Sequence, residues 1–236
     1  MKKYIFVPIA LVIFISMVID WRREQKAYEL FRKYVQTALP SVCKQVIEAK
    51  DVVYSSFCKA ELSTDTTEKI SLLTKFIKAK PEYGLGLGYH ERGKLYHDIG
   101  KHDLAIKDLS KAIEIGNKKL LRSYEFRCNS YIEQKEFQKA LSDINSFIEI
   151  DSVSTFGYHK KALIYSHLMM YEEARDYFDK VIEMDRKNAN AYYLRGFMHL
   201  KLGDKKQAKR DWELTAISDP KMEHEINSLI LKYVSE

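Results

Sequence analysis

Four tyrosines and four alanines set the frame of this chain. Tyr89, Tyr124, Tyr158 and Tyr192 each stand sixteen residues before an alanine: Ala105, Ala140, Ala174 and Ala208. The alanines are 35, 34 and 34 residues apart. Three after each tyrosine comes a basic residue, Arg92, Arg127, Lys161 or Arg195, and next to it a small one, Gly93, Cys128, Ala162 or Gly196. Seven after each tyrosine comes Tyr96, Tyr131, Tyr165 or His199. Four after each alanine comes Leu109, Ile144, Phe178 or Trp212. Offsets of four and seven lie on one face of a helix, so the tyrosine, the small residue and the second aromatic line a first helix. The alanine and the large residue share a face of a second helix. Small side chains let the two backbones come close, and the large ones fill the gaps beside them. Gly100-Lys101 and Gly203-Asp204 mark the turn between the helices in two of the units.

The stretch AYYLRGFMHLKLGDKKQAKRDWELTAISDP, Ala191 to Pro220, resembles the tetratricopeptide repeat, a 34-residue helix pair with small residues in the first helix and alanine in the second. Ala112 fits that family's second small position, which is held by Phe147, Val181 and Thr215 in the other units. The resemblance implies an all-α protein, a right-handed α-solenoid of antiparallel helix pairs. Its four units would be 86–119, 121–154, 155–188 and 189–222, preceded by a helical region at 22–85. A weaker unit at 50–83 is a further candidate: Leu73, Phe76 and Pro81 sit at second-helix offsets, but Lys69 holds the alanine position. Asp20 to Leu39 reads as a separate amphipathic helix with Tyr28, Phe31 and Val35 on one face. At the other end, 223–236 is expected to cap the array, with Met222, Ile226, Leu229, Ile230 and Tyr233 in one apolar stripe.

The same resemblance implies a groove lined by fixed offsets of the first helices. These give Leu87, His90, Lys94 and His97, then Arg122, Glu125, Asn129 and Ile132. The last two units give Phe156, His159, Leu163 and Ser166, then Asn190, Tyr193, Phe197 and Leu200, a more apolar set. We therefore expect a partner's helix or extended peptide against Phe156, His159, Leu163, Asn190, Tyr193, Phe197 and Leu200, with Arg122, Asn129 and Lys94 as polar contacts. The alternative is that the C-terminal helix folds over this face. Some members of the family grip a carboxyl terminus, but that pattern fails here. Lys94 stands where they carry asparagine, and Phe156 and Lys160 do not reproduce their Lys-Arg pair.

The first residues differ in character. Lys2 and Lys3 precede an apolar run from Tyr4 to Ile19, interrupted by Pro8 and Ser16 and followed by Trp21, Arg22 and Arg23. No small-residue cleavage site follows, so the run predicts an uncleaved transmembrane signal anchor over 1–21, contacting the membrane through residues 4–21. The short basic start favours an extracytoplasmic body, so the expected location is a single-pass membrane protein.

Other chemistry is weakly signalled. The net charge is +6, but Lys and Glu are mixed along the chain with no basic block of five or more, which argues against a nucleic-acid surface. The seven histidines show no metal-ligand spacing, so neither a metal site nor a cofactor is expected. Gly84 to Gly93, GLGLGYHERG, follows a helix rather than a strand and reads as a connector between helices, not a phosphate loop. No nucleophile with an arranged base can be named, so no enzyme activity is expected. If Val42 to Leu62 is one helix, Cys43 and Cys58 lie about 22 Å apart, too far to bridge; a break between them reopens that pairing. The resulting expectation is a membrane-tethered scaffold for assembling a membrane or envelope complex. Two alternatives stay open: a regulatory or carrier subunit of a hydrolytic enzyme, and a self-associating repeat protein.

Overall fold

The computed structural model describes residues 9–79, 84–116 and 120–234. Every regular element among them is a helix. They fall into two compact units that divide between Leu120 and Leu121. The first holds α1 (Ile9–Thr37), α2 (Pro40–Glu48), α3 (Val52–Leu62), α4 (Thr66–Lys78), α5 (Leu85–Asp98) and α6 (His102–Gly116). The second holds three helix pairs: α7 (Leu121–Glu133) with α8 (Phe137–Ile150), α9 (Thr155–His167) with α10 (Tyr171–Met184), and α11 (Ala189–Lys201) with α12 (Lys205–Ser218). A 3-10 turn, Pro220–Met222, then leads into α13 (Glu223–Tyr233).

The expected membrane anchor is corrected by α1. No helix among the described residues is long and apolar enough to cross a membrane. The apolar run and the amphipathic segment form one helix, and charge enters it at Asp20, Arg22 and Arg23. Only Ile9 to Ile19 remain uncharged, about 16 Å of helix at 1.5 Å per residue. A bilayer's hydrocarbon core is about 30 Å thick. Tyr4 to Pro8 of the expected span lie outside the described residues, as does Pro81 of the weaker unit. The single-pass location and the membrane contact at 4–21 are therefore not supported. What α1 does supply is an anchor for the first unit's core. Phe31 is fully buried, with ring centroids 4.9 Å from Tyr54, 5.1 Å from Phe57 and 5.7 Å from Phe76. Tyr28 joins this face, whereas Val35 stays exposed.

Two more expectations change in the first unit. Val42 to Leu62 is not one helix. The chain breaks at Ala49–Asp51, where Lys50 takes a left-handed φ of 59° and the Asp51 carboxylate caps α3 by accepting the Tyr54 N–H at 2.8 Å. Gly86, Gly88 and Gly93 do not lie in a connector but inside α5, and all three are buried. A Cβ on Gly88 would stand 2.7 Å from the Phe76 ring, so its lack of a side chain lets α5 close on α4. Only Gly84, at φ 83°, serves as the turn.

The repeated helix pairs are closed by one turn geometry. Gly100, Lys135, Met169 and Gly203 occupy the same place, five before each alanine, and all are left-handed. In each, that residue's N–H donates to the carbonyl three back, and the next N–H to the carbonyl five back of itself. These two bonds satisfy the carbonyls that a helix end leaves open. Beyond the turn, the small residue of the first helix meets the large residue of the second. A Cβ on Gly93 would be 2.8 Å from Leu109, and one on Gly196 would be 2.5 Å from the Trp212 ring. Ala105, Ala140, Ala174 and Ala208 are all fully buried at the crossing. Deleting such packing would cost on the order of 2–5 kcal/mol per large side chain.

Candidate functional site

The basic residue three after each tyrosine orients the first helix. Arg92 donates to both oxygens of Asp108, at 2.6 and 2.9 Å, and to Thr74 Oγ1 at 2.9 Å. Arg127 holds Asp143 at 2.8 and 2.5 Å. Arg195 holds Asp211 at 2.8 and 2.6 Å and reaches Asp179 of α10 at 2.5 Å. Each forked pair ties a first helix to its own second helix sixteen residues on. Burial disfavours the charge on Arg195, but its hydrogen bonds to Asp211 and then Asp179 outweigh that and raise its pKa. Burial also pushes the Asp143 carboxyl up against the opposing pull of Arg127. In α9 the basic residue is Lys161. It donates to Asn145 Oδ1 at 2.7 Å and lies 4.7 Å from the centre of the Tyr177 ring, which takes the aspartate's place.

These aspartates were not read from the sequence. Their signal was available, since Asp108, Asp143 and Asp211 recur three after the alanine and sixteen after the arginine. A buried carboxylate at that register needs a cation, and the arginine is the one the repeat supplies.

At about 100° per residue, the arginine leaves the first helix some 160° away from the groove positions two before and two after it. The pairs thus fix the roll of the three first helices that carry them, and the candidate offsets lie on the opposite side of each helix. In the second unit, Asn190 is exposed, and its amide lies 3.0 Å from His159 Nε2, joining α11 to α9. Burial, with Lys160 beside it, holds His159 below its ordinary pKa of 6.5. The Asn190 amide nitrogen can only donate, so this contact is a hydrogen bond when the imidazole carries its proton on Nδ1 and Nε2 accepts, a form that the lowered pKa favours. Phe156 is half-buried, its ring 5.2 Å from Phe147 and 5.6 Å from the Lys160 ammonium. Leu163 is half-buried, packed against the core of α9, α10 and α11. Arg122 is exposed on α7, and Asn129 half-buried. Lys94 belongs to the first unit, where it pairs with Glu91 at 2.5 Å.

The remaining three residues of the expected set have company from α13. Tyr193, Phe197 and Leu200 share one apolar cluster with Trp212, Ile226, Leu229, Ile230 and Tyr233. The Tyr193 hydroxyl donates to Glu225 Oε1 at 2.7 Å, and burial followed by this carboxylate pushes its pKa up to about 12. The register explains why. Thirty-four residues after Tyr192, Gly196 and His199 come Ile226, Ile230 and Tyr233. So α13 stands in the register of a further first helix, with Ile230 at the place the other first helices give to a small residue.

No group of three or more His, Cys, Asp or Glu among the described residues could hold a metal ion. His97 and His102 meet at the α5–α6 turn with ring centroids 5.5 Å apart.

Models of the tetratricopeptide repeat match residues 88–117, 157–188 and 177–210. These stretches are tetratricopeptide repeats. Over 135 residues, 57% of its length, the chain is 27% identical to the heat shock protein STI1 of Saccharomyces cerevisiae, covering 23% of that protein. Over 122 residues, 50% of its length, it is 26% identical to the serine/threonine-protein phosphatase 5 of Rattus norvegicus, covering 24% of it. The chain thus spans about a quarter of the length of these curated relatives. Among solved structures it resembles YrrB, described as a tetratricopeptide repeat protein with an unusual peptide-binding site. That likeness has a TM-score of 0.65 at 17% identity and covers 80% of this chain and 96% of the other. MamA from Desulfovibrio magneticus RS-1 matches with a TM-score of 0.66 at 14% identity, over 72% of this chain and 97% of the other. Both likenesses concern the fold.

Proposed function

We propose that this chain is a protein-binding scaffold that works by recognition, with no chemical step. The second unit receives a peptide or helix on the face formed by Phe156, His159, Leu163 and Asn190, with Arg122 and Asn129 at its polar edge. The observation that carries this reading is the bond between Asn190 and His159. It holds an exposed amide and an imidazole together across two first helices, beside half-buried apolar side chains. Such a surface offers directional hydrogen bonds and apolar area together, as peptide recognition needs. Tyr193, Phe197 and Leu200 complete the apolar floor under α13. Lys94 is proposed only as a contact on the first unit's own first-helix face. The peptide-binding site named for YrrB supports the same assignment by analogy.

The test is direct. Peptides selected on the full chain from a display library should lose about tenfold or more in affinity on Phe156→Ala plus Asn190→Ala, as hot-spot residues do. Lys139→Ala, on a second helix, should leave affinity unchanged. Equal loss in both variants, or in neither, would reject the face. The likeness to phosphatase 5 favours a second reading, a regulatory or carrier role for a hydrolytic enzyme. Co-purifying phosphatase activity that is lost with Asn190→Ala would support it.

A further inference from the structure

The break between α2 and α3 brings together two cysteines that a continuous helix would hold far apart. Cys43 lies on α2 and Cys58 on α3, and neither exposes any surface. Both belong to one buried cluster of the first unit's core, with Phe31, Tyr54 and Phe57, and of the groups that act on the Cys58 thiol Cys43 acts most strongly. The remaining cysteine, Cys128, is buried in the second unit. We propose that Cys43 and Cys58 are a disulfide-forming pair, a covalent modification site that staples α2 to α3 across the Ala49–Asp51 turn.

The step balances by thiol–disulfide exchange with a small-molecule disulfide such as oxidised glutathione. One cysteine, as thiolate, attacks a sulfur of the oxidant, forms a mixed disulfide and expels one reduced thiol. The second cysteine, also as thiolate, attacks the protein sulfur, closes the Cys43–Cys58 bond and expels the other. The two cysteines are oxidised, the oxidant is reduced to two thiols, and two protons pass from the protein to the leaving thiolates or to water.

Burial governs when this happens. No oxidant reaches either sulfur in the folded chain. The Cys58 thiol is also pushed up, by Cys43 first, then by burial and by Glu61, which disfavours the thiolate in the folded chain. The reaction therefore proceeds from a state in which the α2–α3 corner has opened, and the folded packing then shields the bond. Low concentrations of urea should speed the oxidation rather than leave it unchanged.

The full chain is unfolded, refolded in oxidised glutathione, and its remaining thiols are alkylated under denaturant for mass spectrometry. The expected result is a fall from three reactive thiols to one, a mass loss of two hydrogens, and a Cys43–Cys58 crosslinked peptide. The oxidised chain should also unfold roughly 5–10 °C above the reduced one. Three surviving thiols, a crosslink that includes Cys128, or a melting temperature no higher than that of the reduced chain would overturn the proposal.

Discussion

In α11 and α12, Arg195 threads its guanidinium between Asp211 and Asp179; in α9 and α10, Lys161 at the same place meets the face of Tyr177. The two helix pairs are otherwise built alike. Each has a buried alanine, a small residue facing a large ring, and a left-handed turn. The fourth pair spends its register position on a buried carboxylate, 2% exposed, that must stay paired. The third spends it on a ring that stacks on Tyr165 at 5.4 Å and takes Lys161 and Lys180 at 4.7 and 4.9 Å. The repeat therefore dictates volumes and the roll of the helices. It does not dictate how a cation between two helices is satisfied.

The largest expected effect separates the two solutions. Asp211→Ala leaves a mostly buried guanidinium with Asp179 alone, so it should lower unfolding free energy by about 3 kcal/mol, as broken buried pairs do. Tyr177→Ala removes a stacked ring and its contacts with Lys161 and Lys180, without stranding a buried charge, and should cost about 1–2 kcal/mol. Urea unfolding followed by circular dichroism measures both. Equal losses would mean that the ion pair is no more demanding than the ring.

A smaller effect comes from the turns. The fourth pair places Gly203 at its left-handed residue, and the third places Met169 there, at φ 60° and 75% exposed. Glycine adopts this conformation without the roughly 1 kcal/mol steric cost that a Cβ carries. Met169→Gly should therefore stabilise the chain by up to about 1 kcal/mol, since the side chain it deletes contributes little packing. A loss of stability in the same unfolding assay would show that Met169 makes contacts its exposure conceals.

How much of this was legible follows from what a repeat constrains. Offsets of four, seven, sixteen and thirty-four residues are set by backbone approach, so the helix pairs and the crossing residues could be read from Ala105, Gly196 and Trp212. The turns at Lys135 and Met169 lacked glycine and gave no local signal; only their place in the register marks them. The break before Val52 was hidden because Val42 to Leu62 carries no proline or glycine, and the stop depends on Lys50 accepting a positive φ. The apolar start looked long enough to span a bilayer only when counted from Tyr4; the continuous α1 brings charge in at Asp20. On the candidate face, residue types were readable by offset. The Asn190–His159 bond and the sharing of Tyr193, Phe197 and Leu200 with α13 depend on which helices are neighbours in space.

The smallest expected effect is a pH dependence that again divides the two pairs. His159 in the third and His199 in the fourth are both held below 6.5, in each case first by burial. For His159 the nearest charge, Lys160, pushes the same way, and the Phe178 ring and the Asn190 amide offer no anion. For His199, Asp211 opposes the burial while Arg195 adds to it. A base whose folded pKa is depressed binds its proton more readily in the unfolded chain. Its stabilising share is therefore whole above 6.5 and lost as pH falls through the folded value. Unfolding free energy should decline between pH 7.5 and pH 5.5. His159→Gln keeps an acceptor for Asn190 but cannot titrate, so it should flatten that decline, and the slope that remains combines His199 with the opposing share of the raised Glu61 and Asp143 carboxyls. An unchanged slope in His159→Gln would mean that the imidazole is as easily protonated folded as unfolded, and the neutral acceptor assigned to the face would be wrong.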